Sequence, residues 1–305
     1  MYKNIPIIVS IAFFSIFLLA AKDEATPIHD LRIKMQFEKK LTALKDQNKT
    51  SPTNDIASQL SAEKKCDAAP LKPNTKIINT AEIYKAAKNG VLCLGNIYKC
   101  DKCPEWHGNI AGGFVISSDG LAVTNFHVMK NERAGAFGAL NIDGEIFPIE
   151  KVVASSEKDD LAIVKLTGNL FHPLPLKSDS PVGSEVTVIS HPEGRFFTVS
   201  KGIISRYYLQ RSGKEKGSPR IAITADFAKG SSGSPVFDNT GSVVGVVAST
   251  NSIYYNRSEG IQRNLQMVIK SCIPTSSILK LLNSCLLYTS PSPRDRTRSR
   301  MPSSA

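Results

Sequence analysis

The sequence predicts an all-β protein whose antiparallel strands close into barrels, with few helices. Three observations carry this prediction. From about Ala81 onward, short apolar runs recur at close intervals; Gly, Asp-Gly or Asn punctuates them; and several, such as Ile221-Ala222-Ile223-Thr224, are β-branched. Apolar runs of that length bury a strand against a shared core, and the punctuating residues reverse the chain between them. The chain has 305 residues and 41% hydrophobic content, enough for one sizeable domain with extensions.

Taken in order, the runs place strands over Val91–Lys99, Ala111–Ile116, Leu121–Thr124, Glu145–Val153, Leu161–Leu166, Glu185–Ile189, Thr198–Ile204, Ile221–Thr224, Pro235–Phe237 and Ser242–Ala248. A short helix over about Ser276–Asn283, capped by Thr275, closes the domain, which is expected to span residues 80–285. Residues 22–79 form a polar N-terminal extension. Within it Ile28, Leu31, Met35, Leu41 and Leu44 fall near one helical face with Lys and Glu between them. A solvated helix or spacer is the preferred reading, and docking of that face is the alternative. Residues 46–60, rich in Asn, Ser, Thr and Asp, read as a flexible linker.

The two ends read differently. Lys3, the mostly apolar stretch Ile5 to Leu19, and Ala20-Ala21 make residues 1–21 an export signal peptide. The destination is secreted or periplasmic. An uncleaved N-terminal anchor facing outside is the alternative, and it is the only membrane contact expected. Residues 286–305 shift abruptly to Ser, Pro and Arg without apolar period and read as a non-native, adapter-derived tail.

Net charge is +11, a bias that suits acidic substrates or an anionic envelope surface. No dense basic stripe with interleaved aromatics appears, so no nucleic-acid partner is expected. Six cysteines (Cys66, Cys93, Cys100, Cys103, Cys272 and Cys285) suit an oxidising compartment, with their pairing open. Cys100 and Cys103, with His107 four residues on, have the spacing of part of a metal site. Structural zinc takes four protein ligands, and no second close Cys/His pair is visible, so a disulfide is the preferred role and no metal or cofactor is expected.

The chemistry lies in three segments. Gly230-Ser231-Ser232-Gly233-Ser234-Pro235 sets a serine between glycines at a sharp turn between apolar runs. An acyl-transfer nucleophile needs such a setting: an exposed hydroxyl with free N–H groups beside it. Thr124-Asn125-Phe126-His127-Val128 ends one apolar run on a histidine, and Asp160 opens another, Leu161 to Leu166. A serine hydroxyl is a weak nucleophile at neutral pH and needs a base, and the base needs an acceptor that fixes its tautomer.

These segments, with Ala111-Gly112-Gly113-Phe114-Val115-Ile116-Ser117, resemble the trypsin-like serine peptidases of the chymotrypsin fold, and within them the compact bacterial branch related to HtrA without a PDZ domain. The resemblance spans most of residues 88–283 and implies two packed antiparallel six-stranded β-barrels with a catalytic cleft between them. It implies a serine endopeptidase in which His127 is general base and then acid, Asp160 its orienter, and Ser232 the nucleophile. The backbone N–H groups of Gly230 and Ser232 would form the oxyanion hole. Ser234 stands where the commonest pattern has glycine.

Ser231 precedes the nucleophile where zymogen-type members carry an aspartate, so the resemblance implies an oxyanion hole that assembles without N-terminal cleavage. Asp226, six residues before Ser232, has the spacing of trypsin's pocket-base acid, and Ser249 and Thr250 would wall the same specificity pocket. Partners are protein or peptide substrates. A catalytically silent trypsin-like binding module remains the alternative, whereas an α/β-hydrolase esterase expects the order serine, acid, histidine with βα alternation.

Overall fold

Each stretch between turn signals becomes an element of a mostly β architecture. The computed structural model describes residues 27–210, 217–258 and 261–282. The expected export signal, Cys285 and the tail of residues 286–305 lie outside the described residues. In chain order the elements are α1 (Asp30–Asp46), α2 (Thr53–Ser61), α3 (Thr80–Ala87), β1 (Val91–Lys99), β2 (Trp106–Val115), β3 (Leu121–Thr124), α4 (Phe126–Met129), β4 (Ala134–Leu140), β5 (Ile146–Ser156), β6 (Leu161–Leu166), β7 (Glu185–Ser190), β8 (Thr198–Gln210), β9 (Ser218–Ile223), β10 (Pro235–Asp238), β11 (Val243–Ser258), β12 (Ile261–Pro274) and α5 (Thr275–Leu281).

The strands close into two antiparallel six-stranded barrels, ordered β1-β2-β3-β6-β5-β4 and β10-β11-β12-β9-β8-β7. Leu92, Leu94, Val115, Ala122, Phe137, Ile149 and Val164 belong to the core of the first barrel. Val186, Val188, Ile204, Ile221, Val236, Val244 and Val247 belong to that of the second. A third cluster, including Phe37, Ile83, Cys93, Phe114, Ile189, Phe237 and Ile273, joins the barrels to each other and to the helices. Gly112 N–H on β2 donates to the Ser232 carbonyl at 2.7 Å, so one direct backbone tie across the barrels lands on the nucleophile segment.

Two strands went unanticipated, for visible reasons. β4 reads Ala-Gly-Ala-Phe-Gly-Ala-Leu because neighbours pack tightly over it: a Cβ on Gly135 would come within 2.2 Å of Trp106, and one on Gly138 within 2.9 Å of Leu41. β12 is polar along its first half, where it pairs with β11 and leaves Leu265 and Met267 exposed.

The N-terminal extension is not a solvated spacer. α1 buries Ile33, Phe37 and Leu41, spaced four apart, while Leu31 and Met35 of the expected face are exposed. The true stripe is set by Phe37, which is fully buried in the joining cluster. The expected linker contains α2, whose Ile56 and Leu60 are buried in the first-barrel core. Ser155 Oγ donates to the Leu60 carbonyl at 2.7 Å, and Val152 N–H donates to Gln59 Oε1 at 2.8 Å. α3 begins with a capping box between Asn79 and Glu82. Among the described residues no helix is long and apolar enough to cross a membrane.

Candidate active site

β3 delivers the chain into α4, the single turn that carries His127. Asp160 closes the turn that feeds β6 and adopts a left-handed backbone, φ +62°, a conformation that costs a non-glycine residue roughly 1–2 kcal/mol. Three contacts hold it there. Its carbonyl accepts from Asn125 Nδ2 at 3.0 Å, and its carboxylate accepts both the His127 backbone N–H at 3.1 Å and ring Nδ1 at 2.9 Å. A carboxylate facing Nδ1 places the imidazole proton on that nitrogen and leaves Nε2 as the acceptor. The two side chains are 51% and 24% exposed, so the pair sits at an open rim.

Ser232 lies between two glycines with positive φ, Gly230 at +91° and Gly233 at +85°. At Gly233 a Cβ would fall 2.2 Å from the Gly112 carbonyl oxygen, so only glycine fits that approach. The turn spends the N–H groups of Ser231, Gly233 and Ser234 on the carbonyls of Ala228, Val247 and Ser231. Among the described residues, the N–H groups of Gly230 and Ser232 have no acceptor. Two free donors bracketing one hydroxyl are what a developing oxyanion requires. Ser232 Oγ donates to the Ala248 carbonyl at 3.3 Å, and among the described residues it makes no hydrogen bond to His127.

His127, Gly230 and Ser232 line one cavity of about 680 Å³, walled also by Gly108 to Ala111 of β2, by Glu193 and Phe196, and by Asp30, Leu31 and Lys34 of α1. The structure does not bring Asp226, Ser249 or Thr250 to this cavity. The Asp226 side chain is 89% exposed and pairs with Lys270 at 3.2 Å, so it is no buried pocket-base acid. Ser249 and Thr250 are exposed on β11 opposite Ser271 and Lys270.

Three supporting residues, His191, Glu193 and Asp30, escaped the sequence reading. His191 is buried between the barrels: Nε2–H donates to the Leu92 carbonyl at 3.0 Å and Nδ1 accepts from the Phe197 N–H at 3.1 Å. Burial pulls its pKa down to about 4. Two residues further on, Glu193 anchors the nucleophile segment, since its N–H donates to the Lys229 carbonyl at 2.7 Å, next to Gly230. Asp30, at the start of α1, accepts from the Phe196 N–H at 2.9 Å and ties the N-terminal extension to the same loop. The available signal was His191-Pro192-Glu193-Gly194, a turn pattern carrying a histidine between two apolar runs.

The expected disulfides are absent among the described residues, where Cys66, Cys93, Cys100, Cys103 and Cys272 are all free. Cys93 and Cys272 are fully buried in different clusters, and burial pushes both thiols well above the usual range.

Fold and site together resemble those of a trypsin-like serine peptidase domain. Residues 111–246 match the family described as trypsin-like peptidase domain. Within that class the chain is similar to proteases of the HtrA branch. It is 33% identical to the "Probable periplasmic serine endoprotease DegP-like" of Hahella chejuensis, over 59% of this chain and 36% of that protein. It is 29% identical to serine endoprotease DegS of Haemophilus influenzae, over 57% of this chain and 50% of that protein. The chain therefore spans half or less of the length of these relatives. Among solved structures, the HtrA-type protease AlgW with decapeptide superimposes with a TM-score of 0.52 at 21% identity, covering 67% of this chain and 66% of that one, a likeness of fold.

Proposed function

We propose that this chain is an exported serine endopeptidase that hydrolyses peptide bonds through an acyl-enzyme on Ser232. The observation that carries this reading is the Asp160 carboxylate, which grips His127 at both its backbone N–H and ring Nδ1 while the histidine and Ser232 face one cavity. His127 Nε2, the acceptor in the tautomer that this grip selects, takes the hydroxyl proton as Ser232 Oγ attacks the scissile carbonyl. The tetrahedral oxygen is received by the N–H groups of Gly230 and Ser232. Nε2 then returns the proton to the leaving amine, and water repeats the sequence to release the acid. For this, Ser232 Oγ leaves the Ala248 carbonyl and turns to His127 when substrate enters.

Ser231 is fully buried beside the nucleophile and carries no charge for an N-terminal partner, which supports assembly without activating cleavage. Relatives described as periplasmic support an exported location, and neighbours solved with bound peptides support peptide substrates. We assign residues 80–285 to the peptidase domain, with α1 and α2 of the N-terminal extension contributing buried side chains to its clusters. The test is cleavage of an unfolded protein substrate by the purified chain. Products must appear with the native sequence and vanish with Ser232→Ala. Equal cleavage by both proteins would remove the proposal.

A further inference from the structure

The tip of the β1–β2 hairpin holds a cluster that the peptidase chemistry leaves unused. Cys100 follows β1 directly, Cys103 lies in the turn, and His107 stands on β2 opposite Tyr98. Their donor atoms converge: Cys100 Sγ and Cys103 Sγ are 3.5 Å apart, and His107 Nε2 lies 3.3 Å from the first and 3.0 Å from the second. Among the described residues this is the one group of three or more metal-ligating side chains whose donors gather this closely.

We infer that Cys100, Cys103 and His107 form a binding site for a thiophilic divalent cation of the zinc class. The geometry separates this from the disulfide the sequence suggested. A disulfide needs sulfurs about 2.05 Å apart, and both cysteines are free. A tetrahedral zinc ion, with Zn–S about 2.3 Å and Zn–N about 2.0 Å, sets S···S near ~3.8 Å and S···N near ~3.5 Å. The observed triangle needs to open by only a few tenths of an ångström to accept the ion. All three residues are partly exposed, which gives the ion a route in.

The hairpin tip is held in shape by its surroundings. Glu38 of α1 accepts from the Gly108 N–H at 2.8 Å. Lys45 and Lys99 stack over the Trp106 ring at 4.9 and 5.3 Å, and Arg133 reaches Asp101 at 3.3 Å. On binding, both thiols release their protons and His107 binds neutral through Nε2, so two thiolates balance the charge of the ion. Three protein ligands leave one position for water or for a donor from a bound partner. The strand that carries His107 continues through Gly108 to Ala111 into the wall of the candidate catalytic cavity, so occupancy would also brace that wall.

The test uses the full chain, freed of metal by chelator, kept reduced with a phosphine, and titrated with Co2+ and then Zn2+. Thiolate-to-cobalt charge transfer and the visible bands of tetrahedral cobalt should rise, saturate at one ion per chain, and disappear as zinc displaces the cobalt. The Cys100→Ser/Cys103→Ser chain should lose these bands, and His107→Gln should weaken them, while circular dichroism shows both variants folded. The reduced, folded native chain giving no cobalt spectrum would overturn the inference. So would an unchanged spectrum in the double-serine chain, because the ion would then sit elsewhere.

Discussion

Acidification should loosen the joint between the barrels through one group, His191. Its ring is 1% exposed and uses both nitrogens, donating from Nε2 to Leu92 of β1 and accepting at Nδ1 from Phe197. A second ring proton would point at the Phe197 N–H and would carry a charge into a cavity walled by Phe196 and Phe197. The other titratable group it faces is the Cys93 thiol, 4.0 Å from Nδ1, which burial keeps neutral over the same range. The folded pKa is about 4, against an ordinary value of 6.5.

Between those values the unfolded chain binds a proton that the native chain does not. Stability is therefore full above about pH 6.5 and falls as pH drops toward about 4, by about 3 kcal/mol in all. Urea denaturation across that range, run beside His191→Asn, isolates the effect. Asparagine retains an acceptor near the Nδ1 position but does not titrate, and the carboxylates contribute to both proteins alike. The native chain should lose about 3 kcal/mol more than the variant between about pH 7 and about pH 4. Parallel pH profiles would refute the reasoning.

Three further outcomes follow from the same contacts. Asp160→Asn keeps the size of the side chain but loses the carboxylate that fixes the His127 tautomer, and kcat for peptide hydrolysis should fall by about four orders of magnitude with KM little changed; a loss below tenfold would exclude the orienting role. Gly233→Ala forces a Cβ toward the Gly112 carbonyl at a residue with φ +85°. Its steady-state cleavage should drop below detection while the chain stays folded by circular dichroism. Phe37→Ala removes the central side chain of the α1 stripe and should cost about 3–5 kcal/mol in urea denaturation; a change under about 1 kcal/mol would mean that α1 is not docked in solution.

How much of this was legible depends on where each residue's partners lie. β1, β3 and β6 have the bounds read from the sequence, because each is a mostly apolar run flanked by turn residues. β4 was hidden because its outer face is whittled to Gly and Ala under Trp106 and Leu41, partners far away in the chain. The α1 face was misread by starting the helical count at Ile28 and Leu31, whereas burial follows Ile33, Phe37 and Leu41. His127 and Asp160, 33 residues apart in sequence, were each marked by a local turn context, and the fold brings them into contact. Asp226 shows the converse: a matching spacing does not fix a direction, and its carboxylate turns out to solvent beside Lys270. His191 left almost no trace, because both its hydrogen bonds go to backbone atoms.

The central claim is that Ser232 is the nucleophile activated by His127. Reaction of the folded chain with a fluorophosphonate, followed by peptide mass mapping, tests it most directly. One covalent adduct is expected, on Ser232, lost in Ser232→Ala and strongly slowed in His127→Ala. A folded native chain that takes no label, or takes it on another residue, would contradict the claim.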